Sequence, residues 1–138
     1  MVIISDVGTD SDSLGRLQLI MAAFESQGVP NNEGAPLFLL IGNFSGSEST
    51  FDIDPLAPFS KLAATLTQFP TLTQRCHFVL VPGPTDPGPS GLPHSILPRP
   101  PLPSYLTRTL QDRIPNLILA SNPCRLSYHP LILLAVDQ

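Results

Sequence analysis

Four short apolar runs recur along the chain, and their spacing constrains the fold more than any other feature. They are VIISDV (2–7), LFLLIGNF (37–44), HFVLVPG (77–83) and NLILASNP (116–123). Each is too short for a helix, rich in Val, Ile, Leu and Phe, and closed by Gly, Pro, Ser or Asn, which is how a buried strand reads. Between them lie segments of helical period. TDSDS supplies N-cap residues for LGRLQLIMAAFES, with Leu14, Leu17, Ile20, Met21 and Phe24 at helical spacing. FSKLAATLTQF places Leu62, Leu66 and Phe69 on one face, and SYLTRTLQDRI gives a third helix. Strands alternating with helices predict an α/β fold: a βαβ-type, mainly parallel sheet with helices on both faces. RLSY and LILLAV, further on, read as two more strands of a hairpin.

Composition agrees with one domain spanning residues 1–138. The chain is 42% hydrophobic and only 13% charged, so it can bury a core despite its 17 prolines, which cluster in loops. Net charge is −4, and the seven Lys and Arg residues are spread thinly. No basic stripe exists for a phosphate backbone, which argues against direct binding of nucleic acid. Cys76 and Cys124 form no CxxC pair and read as buried thiols of a reducing compartment, with no disulfide. The N-terminal run meets a charge at Asp6, so it has no signal-peptide character. LILLAV is far shorter than the roughly 20 residues of a membrane helix, and the protein is expected to be soluble and intracellular, with no membrane partner.

In such sheets, sites form beyond the carboxyl ends of the strands. The four tips read Ser5-Asp6-Val7-Gly8, Gly42-Asn43-Phe44-Ser45, Gly83-Pro84-Thr85-Asp86 and Ser121-Asn122-Pro123. A metal-dependent phosphoesterase needs His and carboxylate ligands converging on divalent ions. The tips offer Asp6, Asn43 and Asp86 but no His; His77, His94 and His129 stand elsewhere and read as structural or surface residues. Asp6 and Asp86 are read as carboxylates capping turns or helix N-termini. Ser45 and Ser47 form no GxSxG elbow, and no glycine cluster matches a P-loop or a dinucleotide fingerprint. A Cys124 nucleophile would need a basic partner, and strand alternation points Arg125 the opposite way. LPRPPLP (97–103) carries PxxP spacing at Pro98–Pro101 and Pro100–Pro103, which fits either an exposed polyproline ligand or a stiff crossover packed on its own domain; the second is the expectation.

Taken together, the tips resemble a known family. Asp6-Val7-Gly8 lies where calcineurin-like phosphoesterases have Asp-x-His, Gly42-Asn43 where they have Gly-Asp, and Gly83-Pro84-Thr85-Asp86 where they have Gly-Asn-His-Asp or Glu. The histidines are missing, so Asp6, Gly8, Asn43, Thr85 and Asp86 stand as degenerate metal-ligand positions. That loss marks the B subunits of eukaryotic replicative DNA polymerases. Within them the chain is similar to the epsilon branch in three runs. The first is Ile41-Gly42-Asn43-Phe44-Ser45. The second joins the loop Pro82-Gly83-Pro84-Thr85-Asp86-Pro87 to Pro98-Arg99-Pro100-Pro101. The third is Asn122-Pro123-Cys124-Arg125 within SNPCRLSY.

The resemblance implies a calcineurin-like phosphoesterase fold without its metals, incomplete at the C-terminus and lacking the family's N-terminal helical and OB domains. It implies a non-catalytic accessory subunit of the polymerase epsilon complex in the nucleus, with no cofactor. Its partners would be the catalytic subunit's C-terminal metal-binding region and the other subunits, with DNA reached only through the complex. A surviving phosphoesterase using Asp6, Asn43 and Asp86, or a proline-motif adaptor using LPRPPLP, are the competing readings.

Overall fold

The computed structural model describes residues 1–29, 36–46, 54–88, 97–128 and 131–135. The element order is β1 (Val2–Val7), α1 (Ser11–Gln27), β2 (Leu37–Gly42), α2 (Ala57–Leu66), α3 (Pro70–Arg75), β3 (His77–Val81), α4 (Ser104–Arg113), β4 (Leu117–Leu119), β5 (Cys124–Tyr128) and β6 (Leu131–Ala135). The four strands read from the apolar runs form one parallel sheet in the order β1-β2-β3-β4, and β5 and β6 pair antiparallel as a separate hairpin. Ser47, His94 and His129 lie outside the described residues.

The sheet is parallel and flanked by helices, as the alternation requires. The described helices do not divide between its faces, however. Leu17 and Met21 of α1, Phe59, Leu62 and Leu66 of α2, Leu72 of α3, and Leu106 and Leu110 of α4 share one core with Phe38, Leu40, Phe78 and Leu80. The strand order explains this correction. Each crossover moves to the next neighbour in the same direction, so right-handed connections deliver the described helices to the same side. The opposite face carries Leu37, Leu39, Ile41, Val79 and Val81, which pack against Cys124 and Ala135 of the hairpin. β2 is therefore buried on both faces along its whole length, by helices on one side and by a second small sheet on the other.

Local chemistry sets the helix boundaries. Asp10 caps α1, its Oδ1 accepting from the backbone N–H of Asp12 at 3.1 Å and of Ser13 at 2.9 Å. The hydrogen bonds from Ser13, side chain and backbone, hold the Asp10 carboxyl below its ordinary value. The segment expected as one helix ends at Leu66, and a short helix, α3, restarts with Pro70 in its first turn. Glu25 at the end of α1 accepts from the N–H groups of Thr71 and Leu72, both at 3.2 Å, joining α1 to the N-terminus of α3. Phe38 and Phe78 stack at 5.2 Å across β2 and β3, and Phe24 meets Phe38 edge-on at 5.4 Å.

Candidate functional site

The tips of β1, β2 and β3 stand side by side because the strands run parallel in adjacent order. β1 carries an irregularity there: Ile4 pairs with Leu40 and Val7 with Gly42, so one extra residue is accommodated between them. Asp6 sits in that bulge with φ 57, a left-handed conformation uncommon outside glycine. Asp6 is exposed and also lines a groove of about 220 Å³ between β1 and α1, with Ser13, Arg16 and Ile20 on the helix side.

Three of the five residues singled out at the strand tips, Asp6, Asn43 and Thr85, meet at this point. Asn43 Nδ2 donates to Asp6 Oδ1 at 3.4 Å. Thr85 donates to Asn43 Oδ1 twice, through its backbone N–H at 3.2 Å and its hydroxyl at 3.0 Å. The Asn43 amide oxygen is thus engaged by protein donors. Gly8, beside them, is buried under Asp10 and Ser13.

Asp86 faces the other way. It is fully buried, its Oδ1 accepting from the Ser45 N–H at 2.8 Å and its Oδ2 from the Gly83 N–H at 2.9 Å. The carboxylate fastens the β2 tip to the β3 loop from the inside. Burial pushes this carboxyl above the ordinary range, and N–H donors from Ser45, Gly83 and Phe44 offset part of that rise. Two glycines make the close approach possible. A Cβ at Gly42 would run into the Phe44 ring and the Asp86 carboxylate, and one at Gly83 into Asn43 and the Gly42 backbone.

The same loop is held from below by two distant segments. The Arg99 guanidinium, from a side chain 2% exposed, donates through Nη1 to the Gly83 carbonyl and through Nη2 to the Asp86 carbonyl at 2.6 Å. Arg99 and Asn122 pair backbone to backbone, N to O, at 2.7 and 3.0 Å, and Asn122 Nδ2 donates to the Pro82 carbonyl at 2.9 Å. The bonds Leu97–Pro98 and Asn122–Pro123 are cis. The buried carbonyls of Pro82 and Asp86 find side-chain donors here, and that of Gly83 takes Arg99 in addition to the Asp86 N–H at 3.1 Å within its own turn.

Cys124 is buried on β5 while Arg125 is exposed, and burial pushes both Cys76 and Cys124 above their ordinary values. Neither thiol is poised as a nucleophile. Sequence reasoning takes Asp86 for a turn cap and gives Arg99 no contact. The signal for the buried clamp is a lone charge inside an otherwise apolar, proline-built run, the setting in which an arginine is buried on backbone carbonyls. Among the described residues, no three of His, Cys, Asp and Glu stand close enough to hold a metal, and no helix is long and apolar enough to cross a membrane.

Fold and site define a class: an α/β domain whose strand-tip loops are locked to one another by hydrogen bonds, with Asp86, Arg99 and Asn122 buried among them. The model of the B-subunit family of DNA polymerases alpha and epsilon matches residues 1–138, and the chain belongs to that family. It is 36% identical over 134 residues to the DNA polymerase epsilon B-subunit of Arabidopsis thaliana, covering 93% of this chain and 24% of that protein. Against the DNA polymerase epsilon subunit 2 of Homo sapiens it is 36% identical over 130 residues, covering 92% of this chain and 23% of the relative. The DNA polymerase epsilon B-subunit of Schizosaccharomyces pombe is 33% identical over 133 residues, with 92% and 21% covered. The chain spans about a quarter of the length of these relatives.

Proposed function

We propose that this chain acts as a non-catalytic structural part of the DNA polymerase epsilon complex, built on a calcineurin-like phosphoesterase core from which the metal chemistry has gone. The observation that carries the reading is the arrangement at the tips: Asn43 Oδ1 is taken up by Thr85, and both oxygens of Asp86 are spent on the Ser45 and Gly83 amides. A hydrolytic centre would need Asp6, position 43 and position 86 to present free acceptors to a common ion, with an open place for water. Here the same positions brace the loops, and Asp6, Gly8, Asn43, Thr85 and Asp86 are degenerate ligand positions in structural use.

The names of the relatives supply the context: each is called a subunit of DNA polymerase epsilon. In this reading the chain works in DNA replication in the nucleus, contacts the catalytic subunit through that subunit's C-terminal metal-binding region, and reaches DNA only within the complex. Binding of this kind needs a complementary surface and no reactive group. Gly42, Asn43, Pro82, Gly83, Pro84, Asp86, Pro87, the strap Pro98-Arg99-Pro100-Pro101 and the run Asn122-Pro123-Cys124-Arg125 then serve as structural signature residues, keeping the tips in one shape.

The test has two arms on the same folded sample. Calorimetric titration with Mn²⁺, with phosphodiester turnover assayed alongside, should give neither saturable heat nor product. Co-expression with the polymerase's catalytic chain should give a stoichiometric complex. Tight Mn²⁺ binding with turnover that Asp6→Ala removes would sink the proposal, as would absence of any complex from a well-folded preparation.

A further inference from the structure

The strap Pro98–Pro103 alternates burial with a period of three. Arg99 and Leu102 are buried, Pro98, Pro100 and Pro101 are exposed, and Pro103 is half-buried. Three residues per turn is the repeat of a polyproline II helix, and Pro103 has its dihedrals, φ −59 and ψ 132. One edge of the strap is therefore fixed to the domain. Arg99 is held on the Gly83 and Asp86 carbonyls and on the Asn122 backbone, Leu102 enters the helix-side core, and the Pro103 carbonyl receives the N–H groups of Leu106 and Thr107 that open α4. On the other two edges Pro98, Pro100 and Pro101 face outward, and Pro103 is half-buried where the strap meets α4.

The chemistry of those edges selects an occupant. Prolines at 98, 100, 101 and 103 have no N–H, so the ridge cannot extend a β-sheet. Its single charge, Arg99, is turned inward onto the Gly83 and Asp86 carbonyls. What remains is a row of pyrrolidine rings and carbonyl acceptors, continued by Tyr105, which is 56% exposed at the start of α4. The complement is a groove walled by aromatic rings, whose indole N–H or phenol O–H groups reach the carbonyls.

We propose that Pro98–Pro103 is a docking ridge for a partner protein carrying an aromatic-lined proline-recognition groove, a role that stands independently of the polymerase reading. The ridge is held in its bound shape by the fold, so little ordering remains to be done on binding. With no charge on the outward edges, affinity rests on ring packing and is insensitive to salt.

The test titrates the ¹⁵N-labelled full chain with an isolated SH3 domain in one series and an isolated WW domain in the other. Saturable shifts at the amides of Arg99, Leu102, Ser104 and Tyr105 with at least one module are expected. Pro100→Ala combined with Pro101→Ala should weaken that binding by about tenfold or more while the amide spectrum away from the strap stays native, a modest fall in Tm being expected from the freer unfolded chain. A synthetic peptide of residues 97–105 supplies a readout that needs no folded variant: it should compete, but less tightly than the folded chain. The proposal is overturned if neither module shifts these amides, if the double variant binds as well as the parent, or if the free peptide binds better than the fold.

Discussion

Replacing Arg99 by Met is the sharpest probe of how the tip loops are held. The side chain is 2% exposed and its guanidinium donates to the carbonyls of Gly83 and Asp86. Met fills much of the same volume and removes the donors. Each buried hydrogen bond from a charged group contributes about 1.5–3 kcal/mol, so losing two sets an upper range of about 3–6 kcal/mol; the Gly83 carbonyl keeps its bond from the Asp86 N–H at 3.1 Å, which places the expected loss in the lower half of that range. A single domain is stable by about 5–15 kcal/mol in all, so the variant should sit near the edge of folding. Urea titration followed by circular dichroism reads the loss as a fall in midpoint, and Arg99→Lys locates its cause. Lysine keeps the charge but cannot span two carbonyls with a planar fork, so it should recover less than half of the loss. A loss below about 1 kcal/mol for Arg99→Met, or full recovery by Lys, would refute the clamp.

The other expectations concern the same network. Gly42→Ala and Gly83→Ala should each cost about 2 kcal/mol or more, because the new Cβ meets Phe44 and Asp86, or Asn43 and backbone, none of which can yield cheaply; a melting temperature within a degree or two of the parent would contradict the close approach. Asp86 carries a carboxyl raised by burial, so between its unfolded and folded values the native chain binds more protons than the unfolded one. Its contribution is full below the unfolded value and is lost as pH rises through the folded value, and Asp86→Asn should abolish that slope in urea melts run from about pH 4 to about pH 8. Parallel pH profiles for the two proteins would show the reasoning wrong. Ile3 and Ile118, on the edge strands β1 and β4, are about half exposed, and Ile132 on the hairpin is 70% exposed, so the isolated chain should self-associate as concentration rises. Sedimentation should show this, and Ile3→Lys with Ile118→Lys should reduce it; a monodisperse parent would count against it.

The strands are legible because each is a short, wholly apolar run ended by a turn residue, a pattern set by burial on two faces. What covers those faces is not. An apolar run records that Leu37 and Phe38 are both hidden, but not what hides each; that follows from strand order and crossover hand, which emerge only once the chain is assembled. α3 escapes notice because six residues are too few to show a helical period, although Pro70 marks its start. At the tips, position is readable and direction is not. Asp6 and Asp86 look alike in sequence, yet one is exposed in a bulge and the other fully buried between two loops. The difference lies in Ser45 and Gly83, whose N–H groups both donate to the buried Asp86 carboxylate.

The three runs that carry the family resemblance form one contiguous structure. The Gly42–Ser45 tip, the Pro82–Pro87 loop, the strap through Arg99 and the turn at Asn122 are joined by hydrogen bonds from Asp86, Arg99 and Asn122. None of these bonds requires a metal or a substrate. A catalytic loop keeps acceptors free and aimed at a reacting group, because transition-state stabilisation comes from groups not already satisfied. A structural loop does the reverse and pairs each polar atom with its neighbours. By that criterion Asn43 and Asp86 lie on the structural side, and the test is direct. Asn43→Asp should introduce a second carboxylate beside Asp6 and destabilise the tip by about 1–2 kcal/mol, without creating affinity for Mn²⁺. A gain of Mn²⁺ binding in that single variant would mean the ligand geometry is still in place, one residue away from use.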